Sequence, residues 1–226
     1  MGTRTVPGPS ASPARGVRRV ELTTADPEPI ADFYAHLLGW VVLAEPDGGF
    51  SGWVGDRLAL RVHRGGDGFL VVFAGARRDG LRDGAAVDRG RVLHGPWAPR
   101  PRPGEPCWVE FAGAADDAYW TGELGWRART PDEPFTVYDT PAAHDPAGRR
   151  AVAGRRAADR QRWLCHFAVP DTARTAALAE QAGGRVLDPP TRTPTGLAAS
   201  IADPAGAVFA VLQDPPGWGG TWSTTP

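Results

Sequence analysis

Lysine and asparagine are absent from this sequence of 226 residues, so all 25 of its basic residues are arginine. Without lysine, Schiff-base chemistry and a lysine general base are excluded. Cysteine is nearly absent as well, since Cys107 and Cys165 are the only two and have no CxxC spacing. A disulfide scaffold is therefore excluded. Both cysteines lie beside predicted strands, where a thiol is more often a small buried apolar group than a nucleophile.

No apolar run approaches the roughly 20 residues that cross a bilayer, so no membrane partner is expected. The 25 basic residues face 26 acidic ones, and the net charge is −1. A near-neutral chain has no general field that would hold a polyanion, which argues against nucleic acid as a partner. The N-terminus lacks the apolar core of a signal peptide, and we expect a cytoplasmic protein.

Composition changes divide the chain into segments. Residues 1–16 and 215–226 are predicted to be tails, the first of them disordered because it is rich in proline, alanine, serine and glycine. Residues 76–106 are dominated by glycine, arginine, aspartate and proline, which is typical of a linker. The intervening ranges, 17–75, 107–157 and 160–214, have the alternating and helical patterns of folded modules.

The first range predicts a strand, a helix and three further strands. The helix begins after Asp26 and ends at Gly39, between the strand that contains Val20–Leu22 and the strand Trp40–Leu43. Its apolar side chains recur at helical spacing. The remaining two strands are predicted at Gly52–Val62 and Phe69–Ala74.

The same pattern occurs twice more. Tyr119–Trp126 (YWTGELGW) repeats Phe33–Trp40 (FYAHLLGW), and Trp108–Phe111 corresponds to the first strand. In a more divergent third copy, Trp163–Val169 is the first strand and Asp171 caps the helix. We therefore predict an α+β fold that is built from three βαβββ modules.

These segments, together with the glycine pair Gly183-Gly184 and the closing turn Asp203–Gly206, resemble the vicinal oxygen chelate superfamily. That superfamily includes glyoxalase I, bleomycin-resistance proteins and extradiol dioxygenases, and the chain is most similar to its actinobacterial members. The resemblance covers residues 17–75 and 107–214. It implies that two modules place their sheets side by side in an eight-stranded cup, and residues 107–214 contain one complete cup.

The first module is left without a partner in the same chain. Its sheet would expose an edge and an apolar face, so a symmetric homodimer in which two first modules complete a cup is one solution. The alternative is that residues 75–106 fold over this face.

The resemblance also implies a divalent metal, held by His or Glu from the first strands and by Glu from the last strands. Ala210 occupies the position of that glutamate in the third copy. The predicted last strands of the other copies, Phe69–Phe73 and Ala151–Gly154, contain no carboxylate. We therefore expect no metal cofactor, and the alternative is a divalent metal on Glu110 and His166.

The first strands keep three carboxylate or imidazole side chains, namely Glu21, Glu110 and His166. Because the second and third modules share a cup, Glu110 and His166 are the predicted catalytic pair, acting as general base and acid. The alternative is a hydrogen-bonded pair that only satisfies its own buried polar groups.

Aromatic residues are the predicted walls of the ligand site. Trp108 and Trp163 open strands that we expect to face the cup, and Trp53 and Tyr138 lie on central strands. With Glu21 they are the predicted ligand-binding residues, because aromatic walls with few polar groups suit a flat, mainly apolar ligand. The alternative is that each of these aromatic side chains belongs to the core.

Three functional hypotheses follow. The first is a protein that binds a small, largely apolar organic molecule such as a secondary metabolite or antibiotic, and transforms it by metal-free acid–base chemistry or only sequesters it. The second is a metal-dependent lyase, isomerase or dioxygenase of the glyoxalase type. The third is a dimeric interaction module whose cup holds no ligand.

Overall fold

The computed structural model describes residues 16–66, 68–76, 81–140 and 150–220. The helices within these ranges are α1 (Pro27–Leu38), α2 (Asp117–Leu124) and α3 (Thr172–Gln181). None of the described helices is long and apolar enough to span a membrane. The strands, in chain order, are β1 (Val17–Thr24), β2 (Val41–Ala44), β3 (Phe50–Val54), β4 (Arg57–Arg64), β5 (Gly68–Ala74), β6 (Ala85–Asp88), β7 (Pro106–Ala112), β8 (Arg127–Ala128), β9 (Phe135–Thr140), β10 (Arg150–Arg156), β11 (Arg162–Val169), β12 (Arg185–Thr193), β13 (Gly196–Ala202) and β14 (Val208–Gln213).

The strands form two sheets, with the orders β2-β3-β4-β1-β5-β6 and β12-β13-β14-β11-β7-β10-β9-β8. In the second sheet β7 and β11 are antiparallel neighbours at the centre, and each pairs in parallel with the last strand of its own module, β10 or β14. The second and third modules therefore share one continuous eight-stranded sheet, as the repeats predicted.

Helix α1 follows its sequence pattern closely. Pro27 occupies a first-turn position, where a missing N–H costs little. Gly39 ends the helix with φ +73°, a left-handed conformation that favours glycine, and its N–H donates to Ala35 O at 2.9 Å. The predicted apolar stripe is buried, at Ile30, Phe33, Tyr34, Leu37 and Leu38.

The first sheet differs from the prediction at its third and fourth strands. The stretch Gly52–Val62 is a hairpin of β3 and β4, which turns at Gly55 with φ +59°. The last strand of the first module is therefore β4, which runs parallel to β1. Phe69–Phe73 lies instead in β5, which is antiparallel to β1.

β5 and β6 have the arrangement of the first and last strands of a further module. β5 lies antiparallel to β1 as β7 does to β11, and β6 runs parallel to β5 as β10 does to β7. Only ten residues, 75–84, connect β5 to β6, which is too few for a helix and two middle strands. The described chain thus contains three complete modules and the central strand pair of a fourth, and β6 lies inside the segment predicted as a linker.

One face of the first sheet is exposed at its edge, although inner positions on it such as Ser51 are buried. Its edge strand β2 exposes 63% of Val41 and 53% of Leu43. Their register partners on β3 are Trp53 and Ser51, which lie on the same face. The homodimer that would cover this face stays a prediction.

The opposite face of the first sheet packs against α1 and the second sheet. The Tyr34 hydroxyl donates to Asp203 Oδ2 at 3.2 Å, although 169 residues separate them. Trp40 contacts Phe167 with ring centroids 5.5 Å apart, and Phe73 contacts Trp163 at 5.3 Å. One aromatic core therefore connects the first module to the second sheet.

The predicted tail 215–226 begins as an ordered segment against the second sheet. Trp218 is buried, and its Nε1 donates to Val152 O at 2.9 Å. Gly219 N donates to Cys107 O at 2.8 Å. Residues 221–226 and the predicted N-terminal tail up to residue 15 lie outside the described residues.

Candidate functional site

Three rows of side chains cross the concave face at the centre of the second sheet. Residues that lie opposite each other in neighbouring strands project from the same face, and every second residue of a strand returns to it. The register places the rows two residues apart. They are a first row of Arg156, Ala112 and Arg162, a middle row of Gly154, Glu110 and Leu164, and a deep row of Trp108, His166, Ala210 and Ser200.

The ionisable side chains become less exposed from the first row to the deep row. The side chain of Arg156 is 38% exposed, that of Glu110 is 7% exposed, and His166 as a residue is 4% exposed. The first row therefore lies at the mouth of the cup, and we call it the mouth row. Trp218 and Gly219 close the other end against Trp108, whose indole ring lies 6.1 Å from that of Trp218.

The rows enclose a cavity of about 430 Å³. Glu110, Leu164, His166 and Ala210 contribute to its lining from the central strands, and Phe135 closes one side. Strands β12 and β13 and the turn between them add Asp188, Pro189, Pro194 and four hydroxyl-bearing residues, namely Thr191, Thr193, Thr195 and Ser200. The walls are mainly apolar, and the ionisable groups on the central strands lie between them.

The side chain of Glu110 contacts neighbouring residues and is largely shielded from solvent. A Cβ at Gly154 would lie 3.4 Å from Glu110 Cγ and 3.1 Å from the Trp108 ring, so the glycine provides room for both side chains. Arg156 Nε lies 2.9 Å from Glu110 Oε1. Burial raises the pKa of Glu110 to about 7, against the opposing effects of Arg156 and Trp108. At neutral pH this carboxyl group can therefore both take up and release a proton.

His166 is an uncharged partner in the same cavity. Burial, and then the positive charge of Arg156, lowers the pKa of its imidazole to about 3. Its Nδ1 is buried and makes no hydrogen bond of normal geometry among the described residues. The backbone of Leu164 opposes the decrease in this pKa. A buried ring nitrogen without a well-formed hydrogen bond can form one with a ligand.

The structure brings Glu110 and His166 together but separates the predicted aromatic residues. Trp108 lies next to Glu110 at the closed end, fully buried under Gly219. Trp163 faces the other side of the sheet, where it contacts Phe73 and Trp120, because it stands an odd number of positions from His166.

Tyr138 also lies on the far face. A bulge in β10 places Val137 opposite Gly154, and Tyr138 opposite Ala153. Its hydroxyl donates to Asp117 Oδ1 at 2.5 Å, so it belongs to the core under α2.

The last two predicted ligand-binding residues lie on the first sheet. Glu21 pairs with Arg19 on the open face of that sheet. Trp53 is half-buried there, and its Nε1 donates to Ser51 Oγ at 2.9 Å. Neither residue contributes to the cavity that contains Glu110.

Sequence reasoning missed the arginines of the mouth row. The predicted last strand of the second module stops at Gly154, two residues early, and β10 continues to Arg156. Extending its alternation would have placed Arg156 on the face of Gly154, beside Glu110. Arg162 could have been found in the same way, since it stands four positions before His166 on β11.

The donor set of the cavity does not fit the metal site of the superfamily. Glu110 and His166 are next to Gly154 and Ala210 on the last strands, and neither of these can supply a ligand. The guanidinium of Arg156 also occupies one side of the Glu110 carboxylate. The described residues contain no group of three His, Cys, Asp or Glu side chains placed to hold a metal ion. The last strand β4 of the first module likewise has no carboxylate, although it carries His63.

A family model described as the Glyoxalase/Bleomycin resistance protein/Dioxygenase superfamily matches residues 16–211. The chain belongs to this superfamily. The membership inferred from the repeated segments is thus confirmed, and so is the α+β fold.

Solved structures of the superfamily are similar along most of the chain. The Mn(II)-bound glyoxalase from Novosphingobium aromaticivorans gives a TM-score of 0.61 at 13% identity, over 88% of this chain and 82% of that one. An extradiol ring-cleaving dioxygenase from B. fuscum gives 0.62 at 12% identity, over 98% of this chain and 78% of that one. At such identities the similarity shows the fold alone.

Curated relatives are more similar in sequence over a shorter range. The anthracycline biosynthesis protein DnrV of Streptomyces peucetius is 35% identical over 121 residues, and its counterpart DauV of Streptomyces sp. strain C5 is 33% identical over 122 residues. Each match covers 49% of this chain and 42% of the relative. The matched region therefore spans less than half the length of these relatives.

Proposed function

We propose that this chain binds a small, largely apolar organic molecule in the cup of the second sheet and transforms it by metal-free acid–base chemistry. The observation that carries the proposal is a cavity of about 430 Å³ with mainly apolar walls, in which Glu110 has a pKa of about 7 beside the neutral His166. Ligand pockets commonly measure about 300–1,000 Å³ and combine apolar walls with a few polar groups.

The geometry supports a proton transfer on a carbon next to a carbonyl group. Ionised Glu110 takes the proton, and Arg156, 2.9 Å away, stabilises its carboxylate before the transfer. His166 bonds to the ligand oxygen through a ring nitrogen, which limits the charge that develops there. Glu110 then returns the proton to another position of the ligand, so the step is an isomerisation without any co-reactant.

The names of the relatives support a ligand class. Two of them are anthracycline biosynthesis proteins. A polycyclic aromatic ketone has the flat apolar surface and the polar oxygen that this cavity would accommodate. We therefore propose a ligand of this chemical class from secondary metabolism.

Anthrone, a tricyclic ketone with an acidic methylene group, tests binding and chemistry together. Under argon, quenching of the protein's tryptophan fluorescence reports binding, and deuterium exchange into the methylene group in D₂O, followed by NMR, reports proton transfer. Leu164→Trp fills the cavity and should abolish both signals. Glu110→Gln should retain binding within a few-fold and lose the acceleration of exchange by about 10²–10⁴-fold, the usual contribution of a general base.

Glu21→Gln is the matched control, since it makes the same chemical change on the other sheet and should leave both signals intact. Wild-type exchange in Glu110→Gln would refute the base assignment. Binding that Leu164→Trp does not alter would refute the cavity. Failure of anthrone to bind would favour an interaction module without a ligand, and near-stoichiometric divalent metal in the purified protein would overturn the metal-free chemistry.

A further inference from the structure

Two arginines flank a small residue in the mouth row. Arg156 on β10 and Arg162 on β11 both lie opposite Ala112 of β7, so both project from the face that carries Glu110. With neighbouring strands about 4.8 Å apart, their Cα atoms are separated by about 10 Å. Ala112 contributes only a methyl group between them. This spacing leaves room for a small planar group between the two guanidinium groups.

The positive charge of this row is not fully balanced by the acidic groups around it. Glu110 engages Arg156, and Asp188 on β12 is the acidic group that acts on Arg162. Burial, and then the positive charges of Arg156 and Arg160, lower the pKa of the Arg162 guanidinium, and Asp188 alone opposes them. Two arginines and one carboxyl group therefore act on the charge of Arg162.

Arg162 also has a hydrogen-bond donor without an acceptor. Its Nε is buried and makes no hydrogen bond within the described part of the chain. A buried N–H without an acceptor is unfavourable, and an anion at the mouth of the cup would satisfy it.

We propose that the mouth row binds a carboxylate of the ligand, so that the molecule taken up by the cup is an organic acid. The apolar part of the molecule would lie against Leu164 and Phe135, and its carboxylate would lie between Arg156 and Arg162. This inference rests on the proposed function, because it names the chemical class of the ligand in the same cavity.

Arg162 is not among the residues that line the cup cavity itself, and it lines a second cleft, of about 480 Å³, between the two sheets. Its strand register nevertheless places it in the mouth row, beside Ala112 and at the edge of the cup. The groups that act on its charge, Arg156, Arg160 and Asp188, are not among the residues that line that cleft. The charges that surround Arg162 therefore point to the cup.

A pair of probes of equal shape tests the proposal. Anthraquinone-2-carboxylate and anthraquinone-2-carboxamide differ in charge at one position, and calorimetry measures the dissociation constant of each. Wild-type protein should bind the carboxylate at least about tenfold more tightly, which corresponds to about 1.4 kcal/mol. Arg162→Gln should reduce this ratio to between one and three while leaving the carboxamide affinity unchanged.

Arg150→Gln is the matched control, because Arg150 lies on β10 at the end away from the mouth row. It should preserve the tenfold ratio. Equal binding of both probes by wild-type protein would overturn this inference and leave the proposed function standing. A loss in Arg162→Gln that is equal for both probes would assign Arg162 a structural role and would also overturn it. Failure of both probes to bind would contradict the proposed function itself.

Discussion

Replacing Glu110 with glutamine should stabilise the protein at alkaline pH and have little effect at acid pH. The pKa of Glu110 is raised from an ordinary value of 4.5 to about 7, so the folded state holds this proton more tightly than the unfolded chain does. The stability that the protonated form provides is fully present below pH 4.5 and is lost as the pH rises to 7. Since one pKa unit corresponds to about 1.4 kcal/mol, the loss is about 3 kcal/mol.

The contribution of His166 to stability has the opposite pH dependence. Its pKa is lowered from 6.5 to about 3, so the stability of its neutral form is complete above pH 6.5 and is lost as the pH falls to 3. Between pH 4.5 and 6.5 the two contributions change with opposite slopes and cancel in the wild-type protein. In Glu110→Gln only the histidine contribution remains, so stability should rise with pH over this range.

Urea unfolding followed by tryptophan fluorescence measures the effect. Urea carries no charge and leaves the interaction between Glu110 and Arg156 unscreened. The stability advantage of Glu110→Gln over wild type should grow by about 3 kcal/mol between pH 4.5 and pH 8. Glu21→Gln, the control on the first sheet, should follow the wild-type curve. An advantage of the same size at both pH values would refute the assigned environment of Glu110.

Two further predictions concern the core and the open sheet. Asp117→Asn should lower the free energy of unfolding, measured with urea, by about 3–5 kcal/mol. The reason is that Arg155 is 1% exposed and would lose the carboxylate that its Nε contacts at 2.8 Å. A decrease below about 1 kcal/mol would contradict this interpretation. Val41→Glu with Leu43→Glu should convert a homodimer into a monomer in sedimentation velocity, because both side chains are exposed at the edge of the first sheet. Wild-type protein that sediments as a monomer would show the dimer prediction to be wrong.

Local pattern predicted the elements whose side chains have one clear environment. The stripe on α1 and the glycine at position 39 specify a helix with a single buried face. Asp171 caps α3 as predicted, since its carboxylate accepts from Arg174 N at 2.9 Å. The repeated segments extended this local information to the fold, because each repeat carries the same strand and helix signals.

The errors occurred where a long-range pairing decides the structure. Gly52–Val62 was interpreted as one strand, although its turn at Gly55 separates two strands that pair with each other. β6 is short and lies in a polar segment, and it exists because β5 offers it an edge in parallel register. Tyr138 was assigned to the cup because it lies on a central strand, but it pairs with Ala153 and therefore faces the side opposite to Gly154, and the sequence of one strand does not specify this register.

Repeated motifs and strand alternation were sufficient to predict the superfamily and the modular fold, and to select Glu110 and His166 as candidates, because both are local properties of the sequence. Which side chains share the cup with these two residues depends on the tertiary structure. Arg156 and Arg162 are brought into one row by the pairing of three strands from two modules, and the register between those strands is set by contacts that are distant in the chain. Burial on that face then gives the carboxyl group its raised pKa and the imidazole its lowered one.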